Sequence, residues 1–294
     1  MSKLYIDNNI LRYLVNGFPA GFNAELENQA LDRLIADEQI DFCFSLWNFA
    51  ELAGSPLEEG DRYADLVERL NPIWMSERRY IQKSEIKDFI NSEILGIDVV
   101  PAQSAYNTAF SQMMTTIEGM EGEAMVGETP RRFIRYLCSH GDSAEAIRIR
   151  ANEHPAILEV LQVARQDRAR WHEVELLGFR QTLTGLLPML DAQGRQVAAD
   201  QRRAWLEECV RRREALRHAC PSIAIEDYLT DFRTNNPQRR PMPSDALDYQ
   251  HAVTATPYTD RLITADGYLT QTAVYCARRL RRDFRVCRTF SEIH

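Results

Sequence analysis

Residues 3 to 7, KLYID, are apolar up to a terminal aspartate, and NILRYLV behind them sets Ile10, Leu11, Leu14 and Val15 at helical spacing. The chain therefore opens as strand, turn and helix. Leu26, Ala30, Leu31, Leu34 and Ile35 share one face of a second helix over 23 to 37. IDFCFS at 40 to 45 reads as a second strand, SLWNFAELAG returns to helix, and PIWMS at 72 to 76 is a third strand. Strands that are apolar almost throughout and alternate with helices predict a parallel sheet covered on both faces, a three-layer α/β arrangement.

From about 81 to 235 strand-like runs vanish and helical spacing takes over. Pro155 suits a first helical turn, and Ile157, Leu158, Leu161, Ala164, Trp171, Val174, Leu177 and Leu183 recur at three- and four-residue steps until Pro188 and the DAQG turn. A further helix over 197 to 218 turns Trp205, Leu206, Cys209, Val210 and Leu216 inward and stops at Cys220-Pro221. TNNPQRRPMPS at 234 to 244 is a loop or hinge. Strands return in RLITAD (261 to 266) and FRVCRTF (284 to 290), separated by a helix whose inner face is Leu269, Ala273, Cys276, Ala277 and Leu280. The simplest topology is one discontinuous α/β domain, residues 1–80 plus 240–294, interrupted by an all-helical insertion over 81–239.

Composition changes this picture little. The 294 residues are 45% hydrophobic and 27% charged, as expected of a globular chain with a sizeable core. No signal-peptide pattern and no membrane-spanning apolar run is present, so a cytoplasmic protein without a membrane partner is expected. The six cysteines are scattered and none are spaced Cys-x-x-Cys, which favours buried thiols over a zinc site. A formal charge of -8 argues against coating nucleic acid by bulk attraction but leaves room for a local basic patch.

The candidate chemistry lies in the acids. Asp7 follows the first strand, Glu51 lies on the helix after the second, Asp248 on a helix after the proline loop, and Asp266 just past RLITA. Singly, Asp7 could cap a helix, Glu51 could pair with an arginine, and Asp266 before Gly267 could be a turn residue. Together they fall at the carboxyl ends of the inferred parallel strands, where open α/β sheets bind ligands. Carboxylates gathered there repel one another unless a cation lies between them, and Mg²⁺ or Mn²⁺ is the natural occupant.

Here the residues resemble a known family. Tyr5-Ile6-Asp7-Asn8-Asn9 looks like the opening hydrophobic-Asp-x-Asn motif of PIN-domain nucleases, and Ser45 with Glu51 six residues later looks like their second motif. SDALDYQHA at 244 to 252 resembles the third, and LITAD at 262 to 266 the fourth. The resemblance covers about residues 1 to 80 and 240 to 294 and leaves the middle as additional equipment. It implies Asp7, Glu51, Asp248 and Asp266 as catalytic, metal-binding acids, with Asp260 as a further metal ligand. Asn9, Ser45, Thr264 and His251 follow as supporting groups, and Asp245, one helical turn before Asp248, as an alternative to it.

The implied reaction is metal-dependent hydrolysis of a phosphodiester, with RNA ranked ahead of DNA. Hard divalent cations take oxygen ligands, so histidine is not required and His251 is expected to hydrogen-bond a neighbouring carboxylate. An acidic cleft needs flanking cations to admit phosphate. Arg278, Arg279 and Arg282 belong to the densest basic run, and Arg239 and Arg240 lead into the third motif. A haloacid-dehalogenase-like phosphatase is disfavoured because Asn9 stands where that family needs a second aspartate. The remaining alternative is a nucleic-acid-binding or scaffold protein, whose insertion could bind a protein partner or a second copy. Among nuclease roles, toxin, RNA processing and bacterial defence stay open.

Overall fold

The structure, a computed structural model, describes residues 1–52, 54–98, 105–117, 128–140, 167–191, 194–234 and 245–293. Two compact units emerge: Met1–Glu77 with Ala105–Glu153 and Met242–His294, and Arg78–Ser104 with His154–Pro241.

The first unit is built on a sheet. Strand β1 (Ser2–Ile6) leads into α1 (Asn8–Asn16) and α2 (Ala24–Ala36), then β2 (Ile40–Phe44), the single turn α3 (Trp47–Ala50), α4 (Leu57–Leu70) and β3 (Ile73–Met75). Helix α5 (Arg78–Phe89) belongs to the second unit, after which β4 (Tyr106–Asn107), α6 (Phe110–Met114) and α7 (Pro130–Ser139) return to the first. The second unit continues with α8 (Arg168–Leu186), α9 (Ala199–Arg211), α10 (Arg213–Ala219) and α11 (Pro221–Thr234). The first is completed by α12 (Asp245–Ala255), β5 (Arg261–Ile263), α13 (Gly267–Leu280), β6 (Arg285–Cys287) and a 3₁₀ turn at Phe290–Glu292.

The strand order is β4-β3-β2-β1-β5-β6, parallel throughout except for β4. From β1 the chain moves outward to β2 and β3 on one side, whereas β5 and β6 occupy the other. Strand order therefore reverses between β1 and β5. Successive strand residues face opposite ways: Leu4, Ile6, Phe42 and Phe44 join a core with Ile10, Leu31, Tyr63, Phe110 and Phe133. Tyr5, between two of them, meets His251 of α12 instead.

Two features depart from the sequence reading. Residues 105–140 were expected within the helical insertion, yet α6 and α7 bury Phe110, Met113, Phe133, Ile134 and Leu137 in the sheet's own core. Helical periodicity shows that a face is buried but not which core receives it. Strand β4 also interrupts a stretch expected to be all helix; at two residues it is too short to show periodicity, and it pairs antiparallel with Trp74 and Met75.

The second unit packs Ile86, Phe89, Phe179, Leu183, Trp205, Cys209 and Leu216 together. Two details differ from expectation. Leu177 is 56% exposed, whereas Leu183 is buried as expected and Phe179 is buried in the same helix. The helix expected over 197 to 218 breaks at Arg212, whose guanidinium turns back to Glu208 at 2.9 Å and to Glu93 O at 2.7 Å. The expected helical stripe at 157 to 164 lies outside the described residues.

Candidate metal centre at the carboxyl edge

Asp7 ends β1 and begins α1. Its carboxylate accepts from Asn8 N at 2.7 Å and from Thr264 Oγ1, beyond β5, at 2.7 Å, while its own N–H continues the sheet to Ile263 O at 2.9 Å. One residue thus joins the two strands at which the order reverses. Asp7 is buried, and that burial lifts its pKa to about 6; the Asp266 charge pushes the same way, against hydrogen bonds from Thr264, Asn8 and Asn9.

Asp266 caps α13, accepting from Leu269 N at 2.7 Å, and its N–H donates to Thr264 Oγ1 at 3.0 Å. Thr264 is fully buried and sits between the two acids as a shared hydrogen-bonding post. Asn9 Oδ1 accepts Ala265 N at 3.3 Å, tying the first turn of α1 to the β5 end.

Glu51 closes α3, and its main-chain carbonyl accepts from Arg12 Nη2 at 3.2 Å. Asp248 lies one turn into α12. Burial raises it to about 8, with further contributions from the charges of Asp266, Asp7, Asp245 and Glu51, in that order. Asp245 starts α12 and is buried. The charges of Asp7, Glu51 and Asp266 therefore all act on Asp248 at one edge of the sheet, beside its reversal point.

Behind them runs a polar layer that the sequence only partly disclosed. Ser45 N donates to Asn48 Oδ1 at 2.8 Å, and Asn48 Nδ2 donates to Ile6 O at 2.7 Å, so the end of β2 is pinned to the end of β1. Asn8, given no task by the motif, donates to Trp47 O at 3.1 Å and accepts Tyr63 OH at 3.1 Å. Tyr5, Asn48 and Tyr63 were missed because a tyrosine or asparagine inside an apolar run reads as packing. The usable signal was the local Ser45-x-x-Asn48 spacing of a side chain that caps a turn.

Arg12 was also missed. Its Nε is buried without a hydrogen-bond partner among the described residues, and its Nη2 reaches Glu51 O, so a cation stands beside the acids. Its place on α1, five residues after Asp7, is the signal that could have found it.

Three expectations need correction. Asp260 is not with the other acids: it begins β5 at the opposite edge, where it accepts Lys3 N at 2.8 Å and faces Arg282 at 3.9 Å. From Lys3 to Asp7 the strand advances roughly 13 Å. The basic run Arg278, Arg279 and Arg282 lies at the far end of α13, a helix that starts at Asp266 and extends roughly 20 Å away from it. These arginines do not flank the acids. Finally, His251 does not hydrogen-bond a carboxylate: its Nε2 is 3.8 Å from Asp7 Oδ1. Arg239 and Arg240 lie outside the described residues.

Among the described residues, no three carboxylate, imidazole or thiolate groups close around a single point tightly enough to cage an ion. The donor set nevertheless fits a hard cation that retains water, since such ions use only one or two carboxylates directly. The elevation of both Asp7 and Asp248, to which the Asp266 charge contributes in each case, fits the same occupant. No described helix is long and apolar enough to cross a membrane. Comparison with protein-family models, curated proteins and solved structures finds no match to the chain.

Proposed function

We propose that this chain is a metal-dependent nuclease of the PIN-like kind, hydrolysing phosphodiester bonds in nucleic acid, with RNA ahead of DNA. The observation that carries the reading is Asp248. Its carboxyl is driven up to about 8 by burial and by four other acids drawn from β1, α3, the start of α12 and the end of β5. Repulsion among acids assembled from distant parts of one chain is what a divalent cation relieves.

Asp7, Glu51, Asp248 and Asp266 would hold Mg²⁺ or Mn²⁺. When bound, such ions polarise the phosphate and lower the pKa of an attacking water. The chain's own residues prepare the site. Thr264 and the Asn8 N–H fix the orientation of Asp7, and the Asp266 cap fixes the neighbouring carboxylate. Arg12 supplies a planar cation suited to a phosphate oxygen at the rim of an otherwise repulsive surface.

The test is cleavage of end-labelled single-stranded RNA, single-stranded DNA and duplexes in Mn²⁺, in Mg²⁺ and in chelator. The wild type is expected to cut RNA with either ion and to stop in chelator. Asp7→Asn and Asp266→Asn should each lose at least about a hundredfold, the scale on which a preorganised charge-stabilising group acts. Cleavage that survives both chelation and Asp7→Asn would end the proposal.

A further inference from the structure

Behind Asp7, three polar side chains from separate elements form an unbroken buried chain. Ser45 Oγ, just after β2, is 2.7 Å from Tyr5 OH on β1, and Tyr5 OH is 2.8 Å from His251 Nδ1 on α12. None of the three is more than 1% exposed. The other ring nitrogen of His251, Nε2, has no hydrogen-bond partner among the described residues and faces Asp7 Oδ1 at 3.8 Å. A buried ring nitrogen left over in this way calls for an explanation.

Counting hydrogens supplies one. Ser45 Oγ accepts from Trp47 N at 3.3 Å and has one hydrogen to give, to Tyr5 OH at 2.7 Å or to Asn48 Oδ1 at 3.4 Å. Asn48 Oδ1 already takes Ser45 N at 2.8 Å, so the shorter contact receives the hydroxyl hydrogen. Tyr5, a phenol that keeps its proton at neutral pH, then gives its own hydrogen to His251 Nδ1. A ring nitrogen that accepts this hydrogen carries none of its own, so the imidazole is neutral. A neutral ring that accepts at Nδ1 carries its hydrogen on Nε2. The opposite tautomer would set a nitrogen lone pair against a carboxylate oxygen in a buried site of low dielectric.

We propose that the Ser45–Tyr5–His251 chain locks His251 in the Nε2–H tautomer, so that an N–H dipole faces Asp7 and His251 acts as a positioning residue for that carboxylate rather than as a ligand. The inference rests on the metal-centre reading above. It assigns each oxygen of Asp7 its neighbours: Oδ2 takes the Thr264 hydroxyl, and Oδ1 takes Asn8 N with the His251 N–H beyond it. Groups behind metal ligands that set their orientation typically account for a ten- to hundredfold difference in affinity.

Long-range ¹H–¹⁵N NMR on the full-length, metal-free, ¹⁵N-histidine-labelled protein reads the tautomer directly. The His251 signals are recognised by their loss in His251→Ala and their displacement in Tyr5→Phe. The wild type is expected to show a protonated Nε2 and an unprotonated Nδ1, and Tyr5→Phe a mixture of tautomers. Mn²⁺ titration followed by electron paramagnetic resonance should give about tenfold weaker binding for Tyr5→Phe and for His251→Ala. The double variant should lose little more, since both act through one chain. His251→Gln, whose amide N–H reaches nearly as far as Nε2, should bind within about twofold of wild type. A wild-type Nδ1–H tautomer, or unchanged Mn²⁺ affinity in both single variants, overturns the proposal. Because the tautomer is read without metal, a wild type that binds no Mn²⁺ is a separate result that overturns the metal reading itself.

Discussion

At the residue scale, Asp248 links the proposed function to a measurable sign. In the metal-free fold it keeps its proton up to about 8 and Asp7 up to about 6, whereas in the unfolded chain both lose it near about 4. Between these values the folded state binds more protons than the unfolded state. Stability should therefore fall as pH rises from about 4 to about 8. Asp248→Asn removes part of that cost. Because the side chain is partly exposed, the gain is on the order of 1 kcal/mol at pH 8, vanishing near pH 4. Thermal melts in chelator at the two pH values test it, and a variant less stable than wild type at pH 8 would contradict the assignment.

At the element scale, α4 and α7 meet where Gly60 has no side chain. A Cβ built there would stand 2.6 Å from Cys138 Sγ and 3.3 Å from Ile134 Cγ2. Alanine is the better helix former by about 1 kcal/mol, but overpacking typically costs about 1 to 3 kcal/mol. Gly60→Ala should be destabilising by denaturant titration, and Cys138→Ala in the same chain should recover most of the loss. Full stability in the single variant would show that the helices do not pack this closely. This contact also marks where sequence reading stopped. Five strands and the motif acids were legible, because an apolar run ending in Asp7 or Asp266 announces both a strand and its end. Helix α7 was legible as a helix but not as part of the sheet's core, and the arginines of α13 were legible as a basic run but not as remote from the acids. Periodicity encodes which side of an element is buried; what meets it depends on contacts between residues far apart in the chain.

For the whole molecule, the division at 105–140 yields a sharper test. Excising 81–239, the boundaries the sequence suggested, would remove Phe110, Met113, Phe133, Ile134 and Leu137 from the core that also holds Leu4, Ile6 and Phe44. Losing even one such side chain typically costs about 2 to 5 kcal/mol, against a total stability of about 5 to 15 kcal/mol. The excised chain should lack a cooperative thermal transition and near-ultraviolet circular dichroism. A cooperatively folded product would show that these helices are dispensable.

The strand order has one further consequence. Thr264 and Asp7 bond across 257 positions of chain, and β1 gains its β5 neighbour only at residues 261–263. A chain made at roughly 5 to 20 residues per second presents Asp7 and Glu51 many seconds before Thr264 and Asp266 exist to complete the edge. Under the proposed function, a nascent hydrolase of RNA carries no assembled centre until the ribosome, itself built largely of RNA, has passed Asp266.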